Sequence, residues 1–237
     1  MNNFIFASRG TSDREALQTA ILQAKESGHD KVVIPEGEWQ IDEPILLPSN
    51  IHIILDGATV VAKDVAFRNE NLYSTFGCMR EGKQKSIVIN GKNSAKIKGG
   101  ILIHNADNIR IEDLAFEDGG VTLSFCHDVR VRNIITNTVA LHLMNGCHQI
   151  IAHSLIGETA LQAISRRAAV GDFMNWDYDY NFDVFEDSPE ICFGVFEGVS
   201  GKVTLFSEGE MYNIRGEAEM TAENGEFFNI YNMVIER

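Results

Sequence analysis

Residues 175–185, NWDYDYNFDVF, alternate aromatic and acidic side chains. Trp176, Tyr178, Tyr180 and Phe182 take the even positions; Asp177, Asp179 and Asp183 take odd ones. One chemistry for this pattern is carbohydrate recognition. Aromatic faces stack on the apolar faces of pyranose rings, and flanking carboxylates accept hydrogen bonds from hydroxyls, which makes Trp176, Tyr178 and Tyr180 candidate substrate-binding residues. A second is cation binding, since Asp172, Glu186 and Asp187 add to the acid density. DYDYNF lacks the glycine of an EF-hand loop, however, and Asp177 and Asp179 on one strand face stand about 7 Å apart, too far to chelate one ion unaided. No metal site is therefore assigned, no cofactor is required, and Ca2+ stays as an alternative. The third reading is a strand with its aromatics buried and its acids wet. That plain reading is preferred over the sugar platform.

Proton-transfer chemistry has other candidates. Abstraction of a proton from carbon needs a basic side chain, with positive charge nearby to stabilise the developing anion. His142, Arg166 and Arg167 are of the right type. His127 and His148, with Asp107, form another group. For each of these the alternative is a surface position with no role in chemistry.

These residues must be positioned by something, and the chain repeats. NIRIEDLAFEDGGVTLSFCH starts at Asn108, DVRVRNIITNTVALHLMNGCH at Asp128 and QIIAHSLIGETALQAIS at Gln149, at spacings of 20 and 21 residues. Strands and turns at this period indicate a solenoid. Ile109, Val129 and Ile150 align, as do Ile111 with Val131, and Leu114 with Ile134 and Leu155. Asn108, Asp128 and Gln149 take the turn position, where polar side chains can satisfy backbone groups of neighbouring rungs. Cys126 and Cys147 share a column and read as small buried hydrophobes. His142 aligns with Thr122 and Gln162 and is expected to face outward, as are His127 and His148 with Asp107. No repeat carries a helix, and the leucine-rich repeat signature is missing, so the repeats are parallel β-coils.

Ahead of the ladder, TSDREALQTAILQAKESG reads as one helix: Ser12 and Glu15 fit a capping box, Gly28 ends it, and Ala16, Leu17, Ala20, Ile21 and Ala24 form its apolar stripe. Short strands follow, KVVIP, EWQI, PILLP and NIHIILDGATVVA. The expected fold is all-β, a right-handed parallel β-helix with a short N-terminal capping helix, in one domain over 1–237. Within it, 1–48 form the cap and first strands, 49–170 the regular coils, and 171–237 acidic, strand-rich coils or a cap.

Composition narrows the partners. Of a net charge of -14, residues 172–237 carry most, with 3 Lys and Arg against 15 Asp and Glu; the first 171 residues carry 17 against 19. Such a field repels nucleic acid and anionic membrane. No apolar run approaches the roughly 18 residues of a membrane span. The four cysteines form no C-x-x-C pair, which argues against a zinc ribbon. MNNFIFASRG has no basic stretch before an apolar core, so it is not a signal peptide. The chain as given reads as cytoplasmic, or as secreted if a leader has been trimmed. Open coil ends expose strand edges, which suggests homo-oligomers.

The opening GTSDREALQTAILQAKESGHDKVVIPEGEWQIDEPILLPSNIHIILDGATVVA resembles that of pectin-lyase-like β-helix proteins. ILLPSNIHIILDGAT is most similar to glycoside hydrolase family 28, the polygalacturonase group, and ILIHNADNIRIEDLAF to its rung before the active centre. The likeness spans roughly residues 9–165. It implies a poly- or oligosaccharide partner and hydrolase or lyase chemistry. Family 28 enzymes carry N-T-D, G-D-D, G-H-G and R-I-K on successive rungs. Here FEDGG puts Asp118 at the first aspartate. Asn137, Thr138 and Val139 fall where the paired aspartates would be, Glu158 and Thr159 where the glycine and histidine would be, and Arg166 and Arg167 near the last motif. Inverting hydrolysis needs two acids, so the resemblance implies a carbohydrate-active protein with a non-standard site, and argues against ordinary polygalacturonase activity. The alternative is a non-catalytic coil that binds glycan or assembles.

Overall fold

The computed structural model describes residues 4–10, 12–69, 84–144, 147–165, 191–207, 210–212, 215–223, 226–228 and 231–236. The chain opens with β1 (Phe4–Phe6) and α1 (Asp13–Glu26). Ser12 caps α1: its Oγ accepts a hydrogen bond from the Glu15 N–H at 3.0 Å. The chain turns off after Ser27 at Gly28, whose φ of +70° suits a residue without Cβ. Leu17, Ala20, Ile21 and Ala24 are buried, and the helix packs on the first strands, where it closes the end of the coil. Gln18 shows how. Its side-chain amide donates to Leu46 O at 3.1 Å, and its carbonyl accepts from Leu46 N–H at 2.9 Å. A side chain thus stands in for a missing rung and satisfies an edge that would otherwise be unpaired.

The strands that follow are β2 (Lys31–Ile34), β3 (Gly37–Gln40), β4 (Ile45–Leu47), β5 (Ile51–Asp56), β6 (Ala58–Asn69), β7 (Gln84–Lys92), β8 (Lys96–Glu117), β9 (Val121–Ile135), β10 (Val139–Met144) and β11 (His148–Ser165). Then come β12 (Ile191–Ser207), β13 (Glu210–Tyr212), β14 (Arg215–Glu223), β15 (Glu226–Phe228) and β16 (Tyr231–Glu236). They pair in parallel, rung upon rung. The expected all-β parallel β-helix with its capping helix is the fold of this chain.

The register bears out the columns read from the repeats. Ile109 pairs with Val129 and Val129 with Ile150; Ile111 pairs with Val131; Leu114 pairs with Ile134 and Ile134 with Leu155. These side chains are fully or almost fully buried in one continuous core. Each buried aliphatic side chain contributes about 1.5–3 kcal/mol, and identical column positions let every rung reuse the same packing. Cys126 and Cys147 are both buried, each thiol donating to a carbonyl of an earlier rung, Ile103 O and Leu123 O.

The corners explain the polar residues. Ser86, Asn108, Asp128 and Gln149 have φ between 50° and 57°, and Asp113, Asn133 and Ser154 between 53° and 61°. Left-handed backbone turns the coil at these two columns, and Asn and Asp tolerate it best after glycine. Neighbouring corners bond to one another: Asn108 Nδ2 donates to Ser86 Oγ at 3.0 Å, and Asn133 Nδ2 to Asp113 Oδ1 at 2.6 Å.

The ladder continues past the regular repeats. β12 pairs with β11 from His148–Cys192 to Ser165–Ser207, and its own neighbours are β13 and β14. Strands β6 and β11 end, and β7 and β12 begin, at one and the same corner of the coil. It lies between the sheet that carries Leu102 and Thr122 and the sheet that carries Asp107 and His127. Arg166, Arg167, Trp176, Tyr178 and Tyr180 lie outside the described residues.

Candidate functional site

A groove of about 250 Å³ opens on the outer side of the sheet formed by β6, β8, β9 and β10. It crosses four rungs. Asp64 and Val65 come from β6, Gly100, Ile101 and Leu102 from β8, Gly119, Gly120 and Thr122 from the approach to β9 and β9 itself, and Thr138, Val139 and His142 from the approach to β10 and β10 itself.

Local sequence builds each wall. In β6 the register slips: Val61 pairs with Lys98, but Val65 pairs with Gly100, so β6 carries two extra residues there. A bulge of this kind re-aims a side chain, and Asp64 sits within it. The floor is glycine by necessity. A Cβ on Gly119 would overlap the carbonyl oxygen of Gly99, and one on Gly120 that of Val139. Thr136 and Thr138 hold the floor in place, both donating to Gly119 O, at 2.6 and 3.0 Å.

His142 lies in register with Thr122 and Gln162, as the repeats indicate. Its neighbours Leu141 and Leu143 point into the core, so the imidazole faces outward, yet it is half-buried. Burial lowers its pKa from 6.5 to about 4, because desolvation penalises the imidazolium. The ring is neutral at pH 7. Its Nε2 is buried and has no hydrogen-bond partner. An unsatisfied buried nitrogen costs on the order of 1–3 kcal/mol, which a ligand hydroxyl or water could offset.

The neighbouring outward column is drier still. His104 and Ser124 are buried, with His104 Nδ1 and Ser124 Oγ 3.1 Å apart. Asn69 holds His104 by both backbone groups, its Nδ2 donating to His104 O at 2.6 Å and its Oδ1 accepting from His104 N–H at 2.9 Å. The His104 ring meets Phe125 edge-on at 5.6 Å, and burial lowers its pKa to about 4.

With this geometry in view, the chain can be set beside known proteins. No protein-family model matches it, and no curated protein does. Solved structures share its fold. A candidate glycosyl hydrolase from Parabacteroides merdae is 18% identical, with a TM-score of 0.54 over 67% of this chain and 85% of that one. The tailspike protein of E. coli bacteriophage HK620, solved as a mutant with a pentasaccharide, is 13% identical, with a TM-score of 0.56 over 98% of this chain. This chain spans about half of that tailspike, 49%. The surface protein and adhesin PfbA of Streptococcus pneumoniae is 12% identical, with a TM-score of 0.50 over 98% of this chain and 95% of that one. At these identities the likeness establishes a parallel β-helix and nothing finer.

The residues singled out in the sequence fare differently. His142 is in the groove together with Asp64, Thr122 and Thr138. Asp118 is exposed at a left-handed corner, φ +58°, where Asn137 brackets it. The Asp118 N–H donates to Asn137 Oδ1 at 3.1 Å, and Asn137 Nδ2 donates to Asp118 Oδ1 at 3.3 Å. Asp118 is not among the residues that line the groove. Asp64 was missed. It belongs to no repeat, and the available signal was the pair Gly99-Gly100 opposite a strand with residues to spare.

Proposed function

We propose that this protein is a carbohydrate-active parallel β-helix that binds a segment of an oligo- or polysaccharide in the groove of Asp64, Thr122, Thr138 and His142. The observation that carries this reading is the lining itself. It combines a carboxylate, two hydroxyls and a neutral imidazole with the apolar side chains of Leu102 and Val65, the mixture that fits a sugar's alternating hydroxyl edges and C–H faces. The similarity of residues 9–165 to polygalacturonases, and the tailspike solved with a pentasaccharide, support a glycan over other ligands. Trp176, Tyr178 and Tyr180 stay proposed substrate-binding residues on their sequence alternation alone.

Binding comes before turnover in this reading. Among the described lining residues Asp64 is the one carboxylate, and inverting hydrolysis uses two. A second reading, hydrolase or lyase chemistry of a non-standard kind, rests on His142, whose desolvated ring is unprotonated at neutral pH.

A glycan array followed by calorimetry tests both. The expected result is binding of at least one uronate-containing or neutral glycan, weakened at least tenfold in Asp64→Ala and His142→Ala. A parent that binds no glycan, or variants that bind as tightly as the parent, would overturn the groove as the site. New reducing ends or unsaturated products, lost in His142→Ala, would establish the second reading.

A further inference from the structure

The groove of Asp64, Thr122, Thr138 and His142 has a charge as well as a shape. Its described lining residues are glycines, aliphatics, threonines, one imidazole and one carboxylate. Burial keeps the His142 ring neutral at pH 7, so this lining carries a single formal charge, the negative one of Asp64. Three cations stand near in the fold: Lys63 next to Asp64 in sequence, Lys98 in register with Val61, and Arg68 in register with Leu102. None of the three lines the groove. Backbone packing, not a free loop, holds Asp64 in the wall. The bulge of β6 sets its carbonyl oxygen against the glycine floor, 3.0 Å from where a Cβ on Gly99 would stand and 3.7 Å from one on Gly100. The glycines of that floor add no side chain, so nothing of theirs shields the carboxylate from a ligand.

We propose that the groove selects its glycan by charge, taking neutral and amino sugars and turning away uronates, with Asp64 as the specificity-determining residue. The inference rests on the saccharide reading of this groove and narrows it to a substrate class. A carboxylate accepts hydrogen bonds and donates none. Sugar hydroxyls can donate to it, and the ammonium group of an amino sugar donates with the added strength of opposite charge. A uronate carboxylate gains neither. It meets a like charge, and leaving water without a cationic partner costs it its hydration. Threonine hydroxyls and a neutral imidazole replace part of that hydration but none of the charge. The groove holds about 250 Å³, so the substituents of a bound sugar lie close to Asp64, where screening by salt is incomplete. The net charge of -14 on the whole chain acts in the same direction at longer range.

Paired calorimetric titrations test it, with oligosaccharides that share ring and linkage and differ only in carrying a carboxyl, an amino or a hydroxyl group. A uronate and its carboxyl-reduced form make one such pair. The parent should bind the neutral or amino member about tenfold more tightly than the uronate. In about 1 M salt the members should come within about twofold of one another. Asp64→Asn keeps the size of the side chain and removes its charge, and should bring them equally close at low salt. Asp64→Lys, on an exposed side chain, should reverse the order. A parent that binds a uronate as tightly as its reduced form, a preference that persists in about 1 M salt, or a preference left whole in Asp64→Asn would each overturn selection by charge while the glycan reading stands. A parent that binds no member of any class would overturn both.

Discussion

On the sheet that carries the groove, side chains pointing away from the core are nevertheless dry: Leu102 is 2% exposed, Ser124 0% and Met144 1%. On the sheet that carries Arg110, Arg130 and Ile151, the equivalent outward side chains stand in solvent, Ile151 at 49%. Both surfaces come from the same repeats, with the same alternation. Facing outward and being wet are therefore separate properties. The difference sets the chemistry. Desolvation makes His104 and His142 weak bases, while solvent keeps the ion pairs of the other sheet shallow.

The contrast is sharpest at the groove floor. Gly120→Ala should place a methyl against the Val139 carbonyl, and Gly119→Ala against that of Gly99. Because both obstacles are backbone within the ladder, neither can swing aside. The expected loss exceeds about 4 kcal/mol, or folding fails outright. Urea unfolding followed by circular dichroism measures it. An alanine tolerated within about 1 kcal/mol would mean that the rungs are not in close contact there.

Acid should act next most strongly, and through the dry side. The pKa values of His104 and His142 are about 4 in the folded chain against 6.5 when unfolded. Between those values the unfolded state binds more protons, so stability rises with pH there. It is fully present above pH 6.5 and is lost as pH falls toward 4. A tenfold difference in proton affinity between the folded and unfolded chain is worth about 1.4 kcal/mol, which gives on the order of 3 kcal/mol per histidine at the acid end. His104→Gln should flatten the slope of stability between pH 4 and 6.5. An unchanged slope would place the acid sensitivity elsewhere.

How far these features were legible in the sequence follows the same divide. The inward columns were readable because a 20-residue period leaves only one alignment for Ile109, Val129 and Ile150. The outward position of His142 was readable from the same alternation. Its dryness was not, since exposure of an outward column depends on what lies over it. Asp64 escaped the period for another reason: a bulge breaks the repeat there, and only the Gly99-Gly100 pair marks it. Asp118 illustrates the reverse. Its motif position suggested chemistry, but its left-handed φ and its pairing with Asn137 are those of a corner residue.

Truncation compares the two surfaces directly. Leu102→Ala removes a buried outward side chain and should cost about 2–3 kcal/mol. Ile151→Ala and Ile156→Ala remove outward side chains that are roughly half exposed, and each should cost under about 0.5 kcal/mol. Thermal unfolding of the three variants suffices. Equal losses would erase the distinction between the faces.

The smallest effect belongs to the ion pairs of the wet face. Arg132 reaches Glu112 at 3.2 Å and Asp113 at 3.4 Å, one rung below, with its own side chain 50% exposed. Proximity alone suggests a strong clasp between rungs. Solvent argues otherwise: exposed pairs return about 0.2–1 kcal/mol after the entropy of holding two long side chains. A double-mutant cycle with Arg132→Ala and Glu112→Ala should give a coupling near about 0.5 kcal/mol, partly masked because Asp113 remains. In about 1 M salt, where screening acts over roughly 3 Å, the coupling should vanish. A value of about 2 kcal/mol that survives salt would show that this face, too, is desolvated in solution, and that the two sheets differ less than their exposures indicate.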